Sequence, residues 1–128
     1  MFEPYDWSDK TTLIVEDDES SVYFFREILA ETKTKLLITN NGKDAIEICE
    51  NNSDIDMILM DIEILGINGL ECTKKIKERF PQIPIIAQTA YAFDDDKKKA
   101  LECGCDDYLT KPIDQAELLQ KMDALFNN

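Results

Sequence analysis

Five short apolar stretches recur along the chain, at 12–15, 35–39, 57–60, 84–88 and 106–109, with Ile, Leu and Val as their main content. Their near-continuous apolarity is that of parallel strands covered on both faces. Between them the apolar spacing changes to that of helices. Val22, Phe25 and Leu29 share one face of a first helix. Ala45, Ile46 and Cys49 share one face of a second, after an Asn41-Gly42 turn, and Leu70, Thr73, Ile76 and Phe80 one face of a third. A fourth helix near 94–103 has only Ala100, Leu101 and Cys103 as apolar anchors. Its Asp94-Asp95-Asp96 start and the Lys97-Lys98-Lys99 run behind it agree with the helix dipole. Thin anchoring marks that helix as a moving part.

The last helix has the clearest punctuation. Asp114 is its predicted cap, and Glu117 three residues on completes a capping-box pattern. Ile113 and Leu118 are placed as a hydrophobic staple, and Leu118, Met122, Leu125 and Phe126 form the buried stripe. The whole pattern predicts an α/β fold of five strand–helix units, (βα)5, with right-handed crossovers around a parallel sheet. Residues 1–10 precede it as an arm or linker, and 11–128 form the domain.

Length and composition narrow the function. A chain of 128 residues makes one domain with a real core. No apolar run approaches the roughly 20 residues of a membrane span. The start, Met1-Phe2-Glu3-Pro4-Tyr5-Asp6, lacks the basic and apolar regions of a signal peptide, so the cytoplasm is the expected compartment. A formal net charge of −13 argues against direct contact with nucleic acid and suits a hard cation. With no histidine and no C-x-x-C pair, Cys49, Cys72, Cys103 and Cys105 do not point to zinc. Cys49 and Cys72 read as core thiols, and Cys103-Gly104-Cys105 as a helix end running into a strand.

The chemistry collects at one end of the strands. Glu16-Asp17-Asp18 follow Leu13-Ile14-Val15, Asp61 follows Met57-Ile58-Leu59-Met60, Thr89 ends Ile85-Ile86-Ala87-Gln88, and Lys111-Pro112 follow Tyr108-Leu109-Thr110. In an open parallel sheet the carboxyl ends of the strands are where ligands bind. Glu16, Asp17 and Asp61 match the oxygen ligands Mg2+ prefers. Crowded together without a cation, they would raise one another's pKa. Asp61 is a candidate nucleophile toward a phosphoryl donor, and Thr89 and Lys111 are donors for the added charge. Neither a P-loop nor a G-x-G-x-x-G run occurs.

In order and spacing these motifs resemble the receiver domain of two-component response regulators, over about residues 11–126. The resemblance rests on Leu13-Ile14-Val15-Glu16-Asp17-Asp18, on Leu59-Met60-Asp61 with Gly69 eight residues later, on Ala87-Gln88-Thr89-Ala90 and on Leu109-Thr110-Lys111-Pro112-Ile113. It implies a flavodoxin-like doubly wound sheet of strand order 2-1-3-4-5. It also implies that Asp61 is the phosphoacceptor and that Asp17 and Asp61 ligate Mg2+ directly. Glu16 reaches the metal through water, and the backbone carbonyl of Glu63 is a further ligand. Thr89 and Lys111 bind phosphoryl oxygens, Thr89 and Tyr108 form the switch, and the Lys111-Pro112 bond is cis. Glu63 and Tyr91 hold positions that influence how long the phosphate survives in this family.

The chain departs from the family in reading Ile64-Leu65 where Met-Pro is common, and Asp18 leaves the metal roles open to a slip by one residue. The implied partners are a histidine kinase or phosphotransfer protein and an output partner on the helix 4–strand 5–helix 5 face, with a homodimer left open. No separate substrate is turned over. Two other classes compete: a receiver-like module that binds without phosphorylation, and a Mg2+-dependent phosphatase of the haloacid dehalogenase type. The latter generally needs a second aspartate two residues after the nucleophile, where this chain has Glu63. The output remains open between a stand-alone receiver and one belonging to a hybrid sensor kinase.

Overall fold

Side chains alternate across the sheet and sort the core into two layers, which fixes where each helix packs. In the computed structural model, which describes residues 5–64, 68–90 and 94–127, the elements run β1 (Thr11–Val15), α1 (Glu19–Ala30), β2 (Lys35–Thr39), α2 (Gly42–Asn51), β3 (Met57–Asp61), α3 (Gly69–Arg79), β4 (Ile85–Thr89), α4 (Asp94–Glu102), β5 (Asp107–Thr110) and α5 (Gln115–Phe126). The strands are all parallel, in the order β2-β1-β3-β4-β5. This is the flavodoxin-like (βα)5 arrangement read from the sequence. On one face Ile14, Met57, Leu59, Ile86 and Leu109 meet Phe25, Ile28 and Leu29 of α1 and Leu118, Leu119 and Met122 of α5. On the other, Leu13, Val15, Ile58, Met60, Ile85 and Ala87 meet Ala45, Cys49, Cys72, Ile76 and Ala100.

The strand boundaries shift in an informative way. Asp61 and Thr89 are the last residues of their strands, not the first residues beyond them. Sheet hydrogen bonds therefore hold their backbones in place. Register does the rest: Val15 pairs Met60, Asp61 pairs Gln88 and Thr89 pairs Thr110, so Glu16, Asp61, Thr89 and Lys111 line one edge.

Two details of the helices differ from expectation. Leu101 does not anchor α4, being half exposed, and Ala100 is its buried residue among 97–102. In α5, Asp114 caps the helix by accepting from the Glu117 N–H at 2.9 Å, but the Glu117 carboxylate turns to Lys121 instead of closing a capping box. The four cysteines are free, and burial pushes the Cys49, Cys72 and Cys105 thiols up to about 11, 12 and 12. Those three are core thiols of low reactivity.

The segment before β1 lies against the domain. Trp7 is 4% exposed within the α1–α5 layer, its N–H donates to the Thr32 carbonyl at 2.7 Å, and its ring meets Phe126 edge-on at 4.9 Å. Tyr5 stacks on Trp7, and the Lys10 ammonium sits over the Phe126 ring. Residues 5–10 thus tie the end of α1 to the end of α5. Trp7→Ala is expected to cost about 3–5 kcal/mol in urea unfolding, as large-to-small core changes do. Trp7→Phe is expected to lose much less.

Candidate functional site

Polar residues at the starts of helices have two jobs at this edge, and the structure separates them. Asp18 accepts from the Ser21 N–H at 3.0 Å and from its hydroxyl at 2.9 Å, and so caps α1. Its carboxylate is committed to the helix. Asn41 and Asn68 cap α2 and α3 in the same manner. Among the described residues, Glu16, Asp17 and Asp61 gather here, each placing an oxygen within 4.8 Å of the others.

Burial makes that crowding costly. Glu16 is 1% and Asp61 2% exposed, whereas Asp17 faces solvent. Glu16 Oε2 accepts from the Asp18 N–H at 3.2 Å, but the buried Oε1 has no hydrogen-bond partner. Loss of solvent, followed by the hydrogen bond and charge of Asp61, pushes the Glu16 carboxyl up to about 7. An orphaned carboxylate oxygen beside two further carboxylates, one of them open to water, fits a hard divalent cation that keeps part of its hydration shell.

Lys111 supplies the fixed positive charge. Its backbone N–H donates to the Thr89 carbonyl at 2.8 Å, which extends the β4–β5 pairing by one residue. Its ammonium donates to Asp61 Oδ1 at 3.0 Å and lies 4.0 Å from Glu16 Oε1. Burial works against the charged amine, but the hydrogen bond and charge of Asp61, with Glu16 and Glu63 behind, more than offset it and raise its pKa. The bond to Pro112 is cis, as expected.

Glu63 also donates its backbone N–H to Asp61 Oδ1, at 3.0 Å. Its carboxylate does something the sequence did not reveal: Oε1 accepts from the Ala90 N–H at 2.9 Å, joining the loop after β3 to the loop after β4. Thr89 is buried at the end of β4. Tyr108 is half-buried on β5, its ring flanked by the Lys97 and Lys121 ammoniums at 5.1 and 4.9 Å. Tyr91 and Leu65 lie outside the described residues.

Gly69 explains its own place in the motif. A Cβ there would sit 2.4 Å from the Asp61 carbonyl oxygen and 2.5 Å from Ile62 Cα. The Gly69 N–H donates to the Ile62 carbonyl at 3.0 Å, so α3 starts directly on the backbone of the acidic residue. Only glycine permits that approach.

Comparison with known proteins agrees with this geometry. The model of the response regulator receiver domain matches residues 12–123. The chain belongs to the response regulator receiver family. It is 36% identical over 106 residues to the polar-differentiation response regulator DivK of Brucella anthropi, covering 81% of this chain and 85% of that one. Among solved structures, the receiver domain of the Pseudomonas aeruginosa sensor histidine kinase PA1611, with a magnesium ion coordinated in its active-site cleft, superposes with a TM-score of 0.85. Its identity is 28%, over 93% of this chain and 98% of that one. The receiver domain of Saccharomyces cerevisiae Ssk1, in complex with the phosphotransfer protein Ypd1, gives a TM-score of 0.86 at 29% identity, over 92% and 89% of the two chains. This receiver is therefore a component of two-component signalling. Among the described residues, no helix is long and apolar enough to cross a membrane.

Two measurements test the site as a physical object. With divalent ions chelated, the folded receiver holds a proton on Glu16 between roughly pH 4.5 and pH 7 that the unfolded chain releases, so its stability falls as pH rises through that window. Glu16→Gln is expected to flatten this fall and to be more stable than wild type at pH 8. Gly69→Ala is expected to lose about 1–3 kcal/mol in urea unfolding through overpacking against the Asp61 backbone.

Proposed function

We propose that this receiver is a phosphorylation-operated switch in which Asp61 accepts a phosphoryl group from a phosphohistidine of a histidine kinase or phosphotransfer protein. The observation that carries the reading is the Lys111 ammonium, 3.0 Å from Asp61 Oδ1, next to three carboxylates gathered within 4.8 Å. With Oδ1 held by Lys111 and by the Glu63 N–H, the other carboxylate oxygen is the one that attacks phosphorus. A P–O bond forms, the P–N bond to the imidazole breaks, and its electron pair returns to the ring nitrogen, which takes up a proton. The product is an acyl phosphate on Asp61.

Asp17, Asp61, the Glu63 carbonyl and Glu16 would hold a Mg2+ ion, which when bound would supply positive charge to offset the carboxylates and the phosphoryl oxygens. Lys111 and the Thr89 hydroxyl bind those oxygens as the added charge develops. Thr89 moving toward the phosphate, with Tyr108 following on the neighbouring strand, then changes the α4–β5–α5 face and its affinity for an output partner. A phosphatase reading fits less well. The residue two places after Asp61 has its carboxylate engaged on the Ala90 N–H, and an acid/base group would have to be free.

Intact mass after incubation with acetyl phosphate tests the reading. Wild type with Mg2+ is expected to gain one phosphoryl group, and Asp61→Asn or addition of EDTA to abolish the gain. Lys111→Met is expected to slow it about 10²-fold, the usual cost of losing one charge-stabilising donor. Uptake by the Asp61→Asn variant equal to wild type would place the acceptor elsewhere. Steady turnover of p-nitrophenyl phosphate would favour the phosphatase.

A further inference from the structure

Glu63 has two ends that act on different partners. Its backbone N–H grips Asp61 Oδ1, while its carboxylate reaches across the mouth of the site to the Ala90 N–H. The residue is exposed, so packing does not force the side chain inward. Two attractions hold it there: the Ala90 N–H at 2.9 Å and the charge of Lys111, on which Glu63 acts in return. Ala90 directly follows Thr89, and its N–H is the next donor along the same strand end. A backbone N–H beside a hydroxyl and an ammonium is a natural seat for a phosphoryl oxygen. Here a carboxylate of the chain itself fills that seat.

We propose that Glu63 is a positioning residue that acts as a built-in competitor: its carboxylate holds the Ala90 N–H, and an arriving phosphoryl group takes that donor only by displacing it. The inference rests on Asp61 being the phosphoacceptor. Its consequence reaches past binding, because the same bond is a link between the β3–α3 and β4–α4 loops. A phosphoryl group on Asp61 repels the released carboxylate by like charge, so the link opens when the site fills. Ala90, directly after Thr89, is thereby released as the site fills.

The test compares wild type with Glu63→Ala, Glu63→Gln and Glu63→Asp. In metal-free, anion-free protein, the Ala90 amide resonance is expected to move in Glu63→Ala and in Glu63→Asp, whose side chain is too short to reach. With Mg2+ present, beryllofluoride titrated as a phosphoryl mimic is expected to bind both of these variants about threefold or more tightly than wild type. Glu63→Gln, which keeps a weaker neutral acceptor, is expected to fall between. If Glu63→Ala tightens binding while Glu63→Asp matches wild type, the effect is bulk charge and the latch is wrong. If all four proteins bind alike, the latch is also wrong, with the phosphoacceptor reading intact. A wild type that binds no beryllofluoride overturns that reading and the latch together.

Discussion

The pairing of β1 with β3 forces like charges together, and the rest of the site follows from that constraint. With Val15 opposite Met60, the next residue on each side is Glu16 and Asp61, both buried and both acidic. Water has little access to either, and among the described residues the Lys111 ammonium, just after β5, is the cation paired with them. That single charge stabilises Asp61 but leaves Glu16 with an orphaned oxygen and a carboxyl that titrates near neutrality. The edge is therefore a standing demand for positive charge, kept in place by the register of the apolar core. A bound divalent cation would lower that repulsion.

Local structure decides which acids are available to meet that demand. Asp18, Asn41, Asn68 and Asp114 all follow a strand, and each spends its side chain on the N–H three residues on. Asp17, one residue before a cap, has no such duty and turns to the solvent side of the cluster. Gly69 completes the sorting from the other direction. It lets α3 begin against the backbone of Asp61 and Ile62, directly before Glu63.

Much of this was legible because it is written in period and position. Five strand–helix units, the strand-end acids, Thr89 and Lys111 could be read from apolar runs and the polar residues that close them. The family resemblance supplied the strand order, which periodicity does not encode. Three things escaped for physical reasons. Leu101 looked like an anchor because apolar type says nothing of facing, and α4 turns it outward. Trp7 lay before the first strand, and only the tertiary contact with Phe126 and Thr32 reveals it as core. The Glu63–Ala90 bond spans 27 residues and joins two loops, so neither spacing nor propensity could announce it.

Helices α4 and α5 are unequally anchored. On the α1–α5 side, Phe25, Leu29, Leu118 and Met122 are buried, and Trp7 fastens the far ends of both helices. On the other side, α4 has Ala100 as its buried residue among 97–102, with Leu101 in solvent. Local opening draws on the elements with the fewest buried apolar contacts. Of the two helices, α5 is the more firmly held. Lys97 on α4 and Lys121 on α5 share the Tyr108 ring, so a shift of α4 changes the surroundings of that ring while Lys121 stays held by Asp107, Glu117 and the Tyr108 carbonyl.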